Sequence, residues 1–408
     1  MIPYYFTFFL SIVFCYLGEM SLEHSKASCI DGDRKKERKA NIKFQFRQRR
    51  LKKGKLKVYH ICFFFSVLFV ALLAGLRDYS VGTDIKSYGN SLFFYASQYS
   101  SLTKYIDTFS HIEPLYLALV YLSSFLSEEP HILYFLTGVL IYSFMFAGFV
   151  KLRRYIPLTL SWLCFLFLLY GDTFNAMRQT ISIAICFWGF HFLLEKKFIP
   201  LAISIIIAFL FHNTAIIFGI IIAIYVVLQK NNSFWMKLLL VIAAVSGLML
   251  FNQILGLLMN IGLLQDKMER YLIGASSGLS IPAILIRLPF LLLILIEKDK
   301  FWKGSNGYKG IIPLNNEAES DFYIVLLLSE MLTVELSAFV GSLYRISLYF
   351  VPFRCLAYSR ICGVQKKKNR VICSIALIVY LLIIFVYQNQ IKGNNEIYPY
   401  VSELLGIR

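Results

Sequence analysis

Three arginines and a histidine stand at the ends of long apolar runs in this chain. Arg77 closes one run and opens the string RDYSVGTDIKSY. Arg178 opens another in FNAMRQTIS, His212 interrupts a third in FLFHNTAII, and Arg345 leads into a fourth in SLYRISLYF. A charge at membrane depth is expensive and faces a cavity or a partner. A guanidinium stays charged, and its planar fork matches phosphate oxygens. Arg178 and Arg345 fall where helices are expected to start, and there free backbone N–H groups and a positive dipole end favour an anion. Together these residues predict anion binding, and a lipid diphosphate at the bilayer surface fits them. The alternative for each arginine is a side chain snorkelling to the headgroups. For His212 it is a hydrogen bond between packed helices.

Carboxylates fall in the same stretches. Asp84 ends VGTD, where Gly82 permits a tight turn, and Tyr88 follows four residues later. Such a turn fixes a carboxylate that orients a sugar hydroxyl or pairs with an arginine; an Asp that only caps its own turn has the same sequence. Glu113 precedes Pro114, which also suits an acid favoured by a helix N-terminus. An unperturbed imidazole is largely neutral at pH 7, as a general base requires. His212 is therefore the first candidate base, with Glu113 and Asp84 as alternatives.

The elements that must position these residues are membrane helices. Of 408 residues, 58% are hydrophobic and only 16% charged, against about 25% charged in an ordinary soluble domain. Apolar runs near 20 residues long recur along the chain, which makes the bilayer its solvent. This excludes a soluble enzyme, a disordered chain and a secreted disulfide scaffold, and it disfavours an outer-membrane barrel. The expectation is an all-α, polytopic bundle of about 12 transmembrane helices (11 to 13) in a single integral membrane domain over 1–408. The first run, 2–17, has no basic residue before it and no small-residue cleavage site, so it reads as an uncleaved anchor.

Of the net charge of +17, the block 31–57 supplies +10. Lying between two apolar runs, it reads as a cytoplasmic loop near anionic headgroups. No nucleic-acid-binding motif accompanies it, so no nucleic acid is expected. The eight cysteines form no CxxC, and no histidine cluster accompanies them; no metal site is expected. Basic groups at Lys151/Arg153/Arg154, Lys196/Lys197, Lys230/Lys237, Lys298/Lys300 and 366–370 are mutually consistent as cytoplasmic. That places 301–320 in a polar cytoplasmic loop, and 77–112, 259–279 and both termini outside. One crossing fails to balance: between Arg77 and Lys151 the number must be odd, yet two apolar pieces occur. The piece 114–126 is short for a span. The expectation is that it is re-entrant or interfacial, or that part of 88–112 inserts.

The same residues carry a family likeness. LLAGLRDYSVGTDIKSY, with Arg77, Val81, Gly82, Thr83, Asp84 and Tyr88, resembles the first signature of the EpsG family of Wzy-type exopolysaccharide polymerases. Glu113, Pro114 and Tyr116 resemble the acidic-Pro start that follows it. FNAMRQTISIAI, with Asn175, Arg178 and Gln179, resembles the family's Arg-Gln helix start. IAFLFHNTAII and YRISLYF resemble its histidine segment and last arginine segment, and EIYPYVSE its closing segment. These pieces occur in order over 58–401; the long basic insert at 31–57 departs from the pattern.

The resemblance implies a GT-C-like membrane glycosyltransferase at the outer face of the bacterial cytoplasmic (inner) membrane. It would transfer a growing glycan from undecaprenyl diphosphate to another lipid-linked oligosaccharide repeat, for capsule, exopolysaccharide or O-antigen, with no cofactor and no metal. Its expected partners are that lipid-linked oligosaccharide, membrane lipids, and a chain-length regulator and flippase. On this reading Arg178 and Arg345 hold diphosphate, Arg77 holds phosphate or pairs with a carboxylate, and Tyr88 and Gln179 contact substrate. The rivals are a lipid-linked glycan flippase or exporter, whose cations would line a cavity across the membrane, and a glycan ligase, which shares the chemistry.

Overall fold

The computed structural model describes residues 1–37, 57–243, 246, 281–304, 311–337 and 342–407, with only the backbone described for 25–37 and Ser342. Most of the basic block at 31–57, the expected external loop 259–279 and residues 305–310 lie outside the described residues.

The chain is an all-helical, polytopic membrane protein. Among the described residues, six helices are long and apolar enough to cross a bilayer: Ile2–His24, Val58–Gly75, His131–Leu152, Met177–Leu194, Asn213–Lys230 and Lys367–Ile391. Five shorter apolar helices accompany them. In chain order, α1 is Ile2–Glu37, α2 Val58–Gly75, α3 Asn90–Ala96, α4 Leu102–Thr108, α5 Pro114–Ser124 and α6 His131–Leu152. Then come α7 (Leu158–Leu168), α8 (Met177–Leu194), α9 (Phe198–Phe211), α10 (Ile217–Lys230) and α11 (Phe234–Ala243). The last six are α12 (Ile281–Ile296), α13 (Lys298–Lys303), α14 (Glu317–Leu336), α15 (Ser342–Ser347), α16 (Val351–Gly363) and α17 (Lys367–Val386).

Helices in lipid gain little from burying apolar side chains against one another, so close approach and polar contacts hold them together. Gly75 lets α2 meet α6: a Cβ there would lie 2.6 Å from Phe135 Cβ and 2.9 Å from its Cα. Between α1 and α2, Ser11 Oγ donates to the Ser66 carbonyl (2.6 Å), Ser66 Oγ donates to the Ser11 carbonyl (2.9 Å), and Trp162 Nε1 on α7 donates to Ser11 Oγ (2.8 Å).

The two ends of the bundle differ in chemistry. At the basic end, Glu19 accepts from the Leu158 and Thr159 amides (3.3 and 3.2 Å), occupying the N-terminus of α7. Buried Arg360 donates to the carbonyls of Phe301 (2.6 Å) and Tyr155 (2.5 Å), and Asp321 takes Lys298 (2.7 Å) and Lys237 (3.1 Å). The expected polar loop 301–320 is therefore partly helical: Phe301 belongs to α13, and α14 begins at Glu317 behind the Asn316 cap.

The opposite end gathers the candidate residues and both chain ends. Tyr4 Oη donates to the Ile397 carbonyl (2.8 Å), and Tyr400 Oη to that of Leu73 (2.9 Å). The segment 77–112 is folded, with a π-turn over Ile85–Gly89 followed by α3 and α4. The unbalanced crossing resolves here. Glu113, at the start of α5, bonds Arg178 and His212, while His131, at the start of α6, bonds the Gly75 carbonyl through Nδ1 (2.9 Å). Both ends of the α5 excursion thus lie at one end of the bundle. An 11-residue helix is roughly 16 Å long, about half a hydrocarbon core, so α5 returns without crossing.

Candidate functional site

Glu113 is the N-cap of α5, ahead of Pro114 in the first helical turn, where a missing amide costs nothing. Its two oxygens have different partners. Oε2 takes Arg178 Nη1 at 2.5 Å, and Oε1 takes His212 Nδ1 at 2.7 Å. The Asn213 amide adds a longer bond to Oε1 (3.4 Å). The Glu113 side chain is 13% exposed. Burial raises its pKa, but the His212 hydrogen bond and the Arg178 charge more than offset this and hold it at about 2.

Arg178 is the second residue of α8, and its guanidinium lies 4.8 Å from the Tyr88 ring centroid and 6.0 Å from that of Tyr116. Tyr88 Oη donates to Asp84 Oδ2. The same oxygen accepts from the Met177 amide at 3.0 Å, so Asp84 supplies the negative charge at the α8 N-terminus. Asp84 is 6% exposed. Burial raises its pKa above the ordinary carboxyl value, against the pull of Tyr88, the Met177 amide and the charges of Arg345 and Arg178.

Gly82 makes this turn, with φ +96° and its amide donating to the Glu396 carbonyl (3.0 Å). Beside it the Thr83 amide donates to Asn175 Oδ1 (2.6 Å).

Arg345 is exposed and makes no ion pair among the described residues. Its carbonyl accepts from Gln179 Nε2 (2.8 Å), one residue beyond Arg178. The expected helix start differs here. Arg345 sits in the last turn of the six-residue α15, and α16 begins at Val351, where Pro352 occupies the first turn.

Arg77 is set apart from the open face. It is 2% exposed, its guanidinium 3.9 Å from the Phe174 centroid and 5.1 Å from that of Tyr134, with Nη2 3.5 Å from Met177 Sδ. Its Nε has no hydrogen-bond partner among the described residues. It lies beneath the cluster as a packed cation.

The fold thus brings Glu113, Arg178, His212, Asp84, Tyr88, Gln179 and Arg345 to one end, with Arg77 below them. The sequence did not single out Asp172, Tyr344 or Asn395, and it gave no role to Asn175 in FNAMRQ or Tyr349 in YRISLYF. Tyr344 Oη donates to Asp172 Oδ1 (2.7 Å), and Tyr349 Oη lies 3.1 Å from both Ser182 Oγ and Thr214 Oγ1. An acid closing the apolar run before FNAMRQ was the one available signal for Asp172.

Comparison with known families decides the membership. The model of the EpsG family matches residues 60–402. The chain belongs to the EpsG family. Neither a curated protein nor a solved structure matches it. Every residue of the cluster lies inside the matched span, while α1 and the whole basic block precede it. EpsG membership points to a Wzy-like polysaccharide polymerase, a glycosyltransferase-like membrane enzyme.

Proposed function

We propose that this EpsG protein joins oligosaccharide repeat units carried on a polyprenyl diphosphate, undecaprenyl diphosphate in bacteria, at the outer face of the cytoplasmic membrane. The product is a capsule, exopolysaccharide or O-antigen chain. The observation that carries this reading is Glu113 holding Arg178 with one oxygen and His212 with the other, beside an Arg345 with no ion-pair partner among the described residues.

In the proposed reaction the anomeric C–O bond to the carrier diphosphate breaks, and the diphosphate leaves with the electron pair. The acceptor hydroxyl oxygen bonds to that carbon and gives up its proton. Glu113 accepts a hydrogen bond from His212 Nδ1–H, which fixes the tautomer and leaves Nε2 with a lone pair for that proton. Arg345 meets the charge developing on the diphosphate. Arg178, already neutralised by Glu113, adds hydrogen bonds at little cost in net charge. Tyr88 and Asp84 hold the wall against which Arg178 stacks.

The test uses purified protein in nanodiscs with authentic lipid-linked repeat units, chelator and no nucleotide sugar. A ladder of longer lipid-linked glycans is expected from wild type, with at least a hundredfold loss in folded Arg345→Ala. Transbilayer movement of substrate without a ladder would assign the chain to the flippase class. Transfer of the glycan only to a different acceptor would assign it to the ligases.

A further inference from the structure

The two halves of the site come from distant parts of the chain: the Asp84 turn precedes α3, and Arg345 sits on α15. A line of polar side chains joins them. Tyr344, next to Arg345, donates through Oη to Asp172 Oδ1 (2.7 Å). Asp172 is 7% exposed, and the Asn395 side chain lies beside it and favours its charged form. Asn395 Oδ1 accepts from Asn175 Nδ2 (3.1 Å), and Asn175 Oδ1 accepts from the Thr83 amide (2.6 Å), the residue before Asp84. Asn395 has φ +72°, a left-handed conformation that asparagine tolerates better than most residues. Its segment is anchored independently, since the Glu396 carbonyl accepts from the Gly82 amide and Lys86 Nζ pairs with Glu396 at 2.9 Å.

We infer that Asp172 is a positioning residue, the centre of a polar frame, with Asn395 beside it, that ties the Arg345 helix to the Asp84 turn and so sets where the Arg345 guanidinium meets an anion. α15 has six residues and cannot hold its own orientation; an isolated helix of that length is unstable. Buried Leu343 and Ile346 seat it in the core, and two side-chain bonds add to its orientation: Tyr344 to Asp172, and Gln179 to the Arg345 carbonyl. Asp172 acts on substrate only through Arg345. Burial, partly opposed by the Tyr344 bond and the neighbouring Asn395, lifts its carboxyl to about 6, in keeping with a group kept from water.

This inference rests on the reading of the site as a diphosphate binder, so its test reads binding rather than polymerisation. The probe is farnesyl diphosphate, titrated into the full-length protein in nanodiscs. Wild type, Tyr344→Phe, Arg345→Ala and the double variant are compared, each checked for an unchanged melting temperature. The expected result is about a tenfold higher Kd for Tyr344→Phe in the wild-type background, and less than a twofold change in the Arg345→Ala background. If Tyr344→Phe does not fold, Asn395→Ala breaks the frame from the other side and carries the same expectation.

A Kd unchanged in the wild-type background, or an equal loss in both backgrounds, overturns the positioning role while leaving the diphosphate reading intact. Folded wild type that binds no diphosphate overturns both.

Discussion

Glu113 is where most of the site's energetics meet. Its pKa of about 2 is below the ordinary 4.5, so ionised Glu113 stabilises the fold. That stabilisation is complete above pH 4.5 and is lost as pH falls from there through 2. It amounts to about 3 kcal/mol at neutral pH. Glu113→Gln should therefore melt lower than wild type at pH 7, with the gap closing as pH falls below 4.5; thermal unfolding in detergent across pH reads this directly. The two open-face arginines should separate in the same assay. Removing Arg178 leaves one oxygen of a mostly buried carboxylate without its charged partner, so Arg178→Ala should cost about 2 kcal/mol of stability. Removing the exposed Arg345 strands nothing among the described residues, so Arg345→Ala should leave the melting temperature within a degree or two while weakening anion binding. At this scale the sequence showed which residue types share an end, because apolar runs and basic groups order the chain across the membrane. It could not show that Glu113 divides its oxygens between Arg178 and His212, contacts that span 65 and 99 residues. Nor could it show that Arg77 stacks under Phe174, since an arginine at a run's end has the same sequence whether it packs inward or faces out.

Short elements and turns fix the geometry around those residues. The Asp84 turn depends on Gly82, whose φ of +96° is unfavourable for any L side chain, and a Cβ there would lie 3.1 Å from the Phe174 carbonyl oxygen. Gly82→Ala should cost about 1–3 kcal/mol and loosen Asp84 from the Met177 amide. A lower melting temperature with weakened diphosphate binding would report this; unchanged binding would show that the turn does not position the site. VGTD announced such a turn, and the structure supplies it. The short apolar piece at 114–126 was legible only as a mismatch of length and parity. The helix bounds that moved, at Arg345 and α16, moved because Pro352 suits the first turn of a helix. That signal was present in SLYFVPF, but the hydrophobic run continues through it and hides the break between α15 and α16.

Across the whole molecule the polarity is consistent: lysine-rich ties close one end, and the candidate cluster and both chain ends occupy the other. On the proposed reading, the positive-inside bias has the cluster end face out. Cysteines placed at exposed Ser97 and exposed Lys197 should therefore label from opposite sides of intact cells, Ser97→Cys with an impermeant maleimide and Lys197→Cys only after permeabilisation. The reverse pattern would place the chemistry on the cytoplasmic side. An outward cluster also places the reaction after the lipid-linked repeat has been moved across the membrane. The proposed reaction is a glycosyl transfer that releases carrier diphosphate from this cluster. It is tested most directly by counting free polyprenyl diphosphate against new glycosidic linkages, with purified protein, authentic substrate and chelator present. One diphosphate released per linkage, with both lost together in folded His212→Ala, is the predicted result. Linkages formed without that release, or an undiminished rate in His212→Ala, would contradict it.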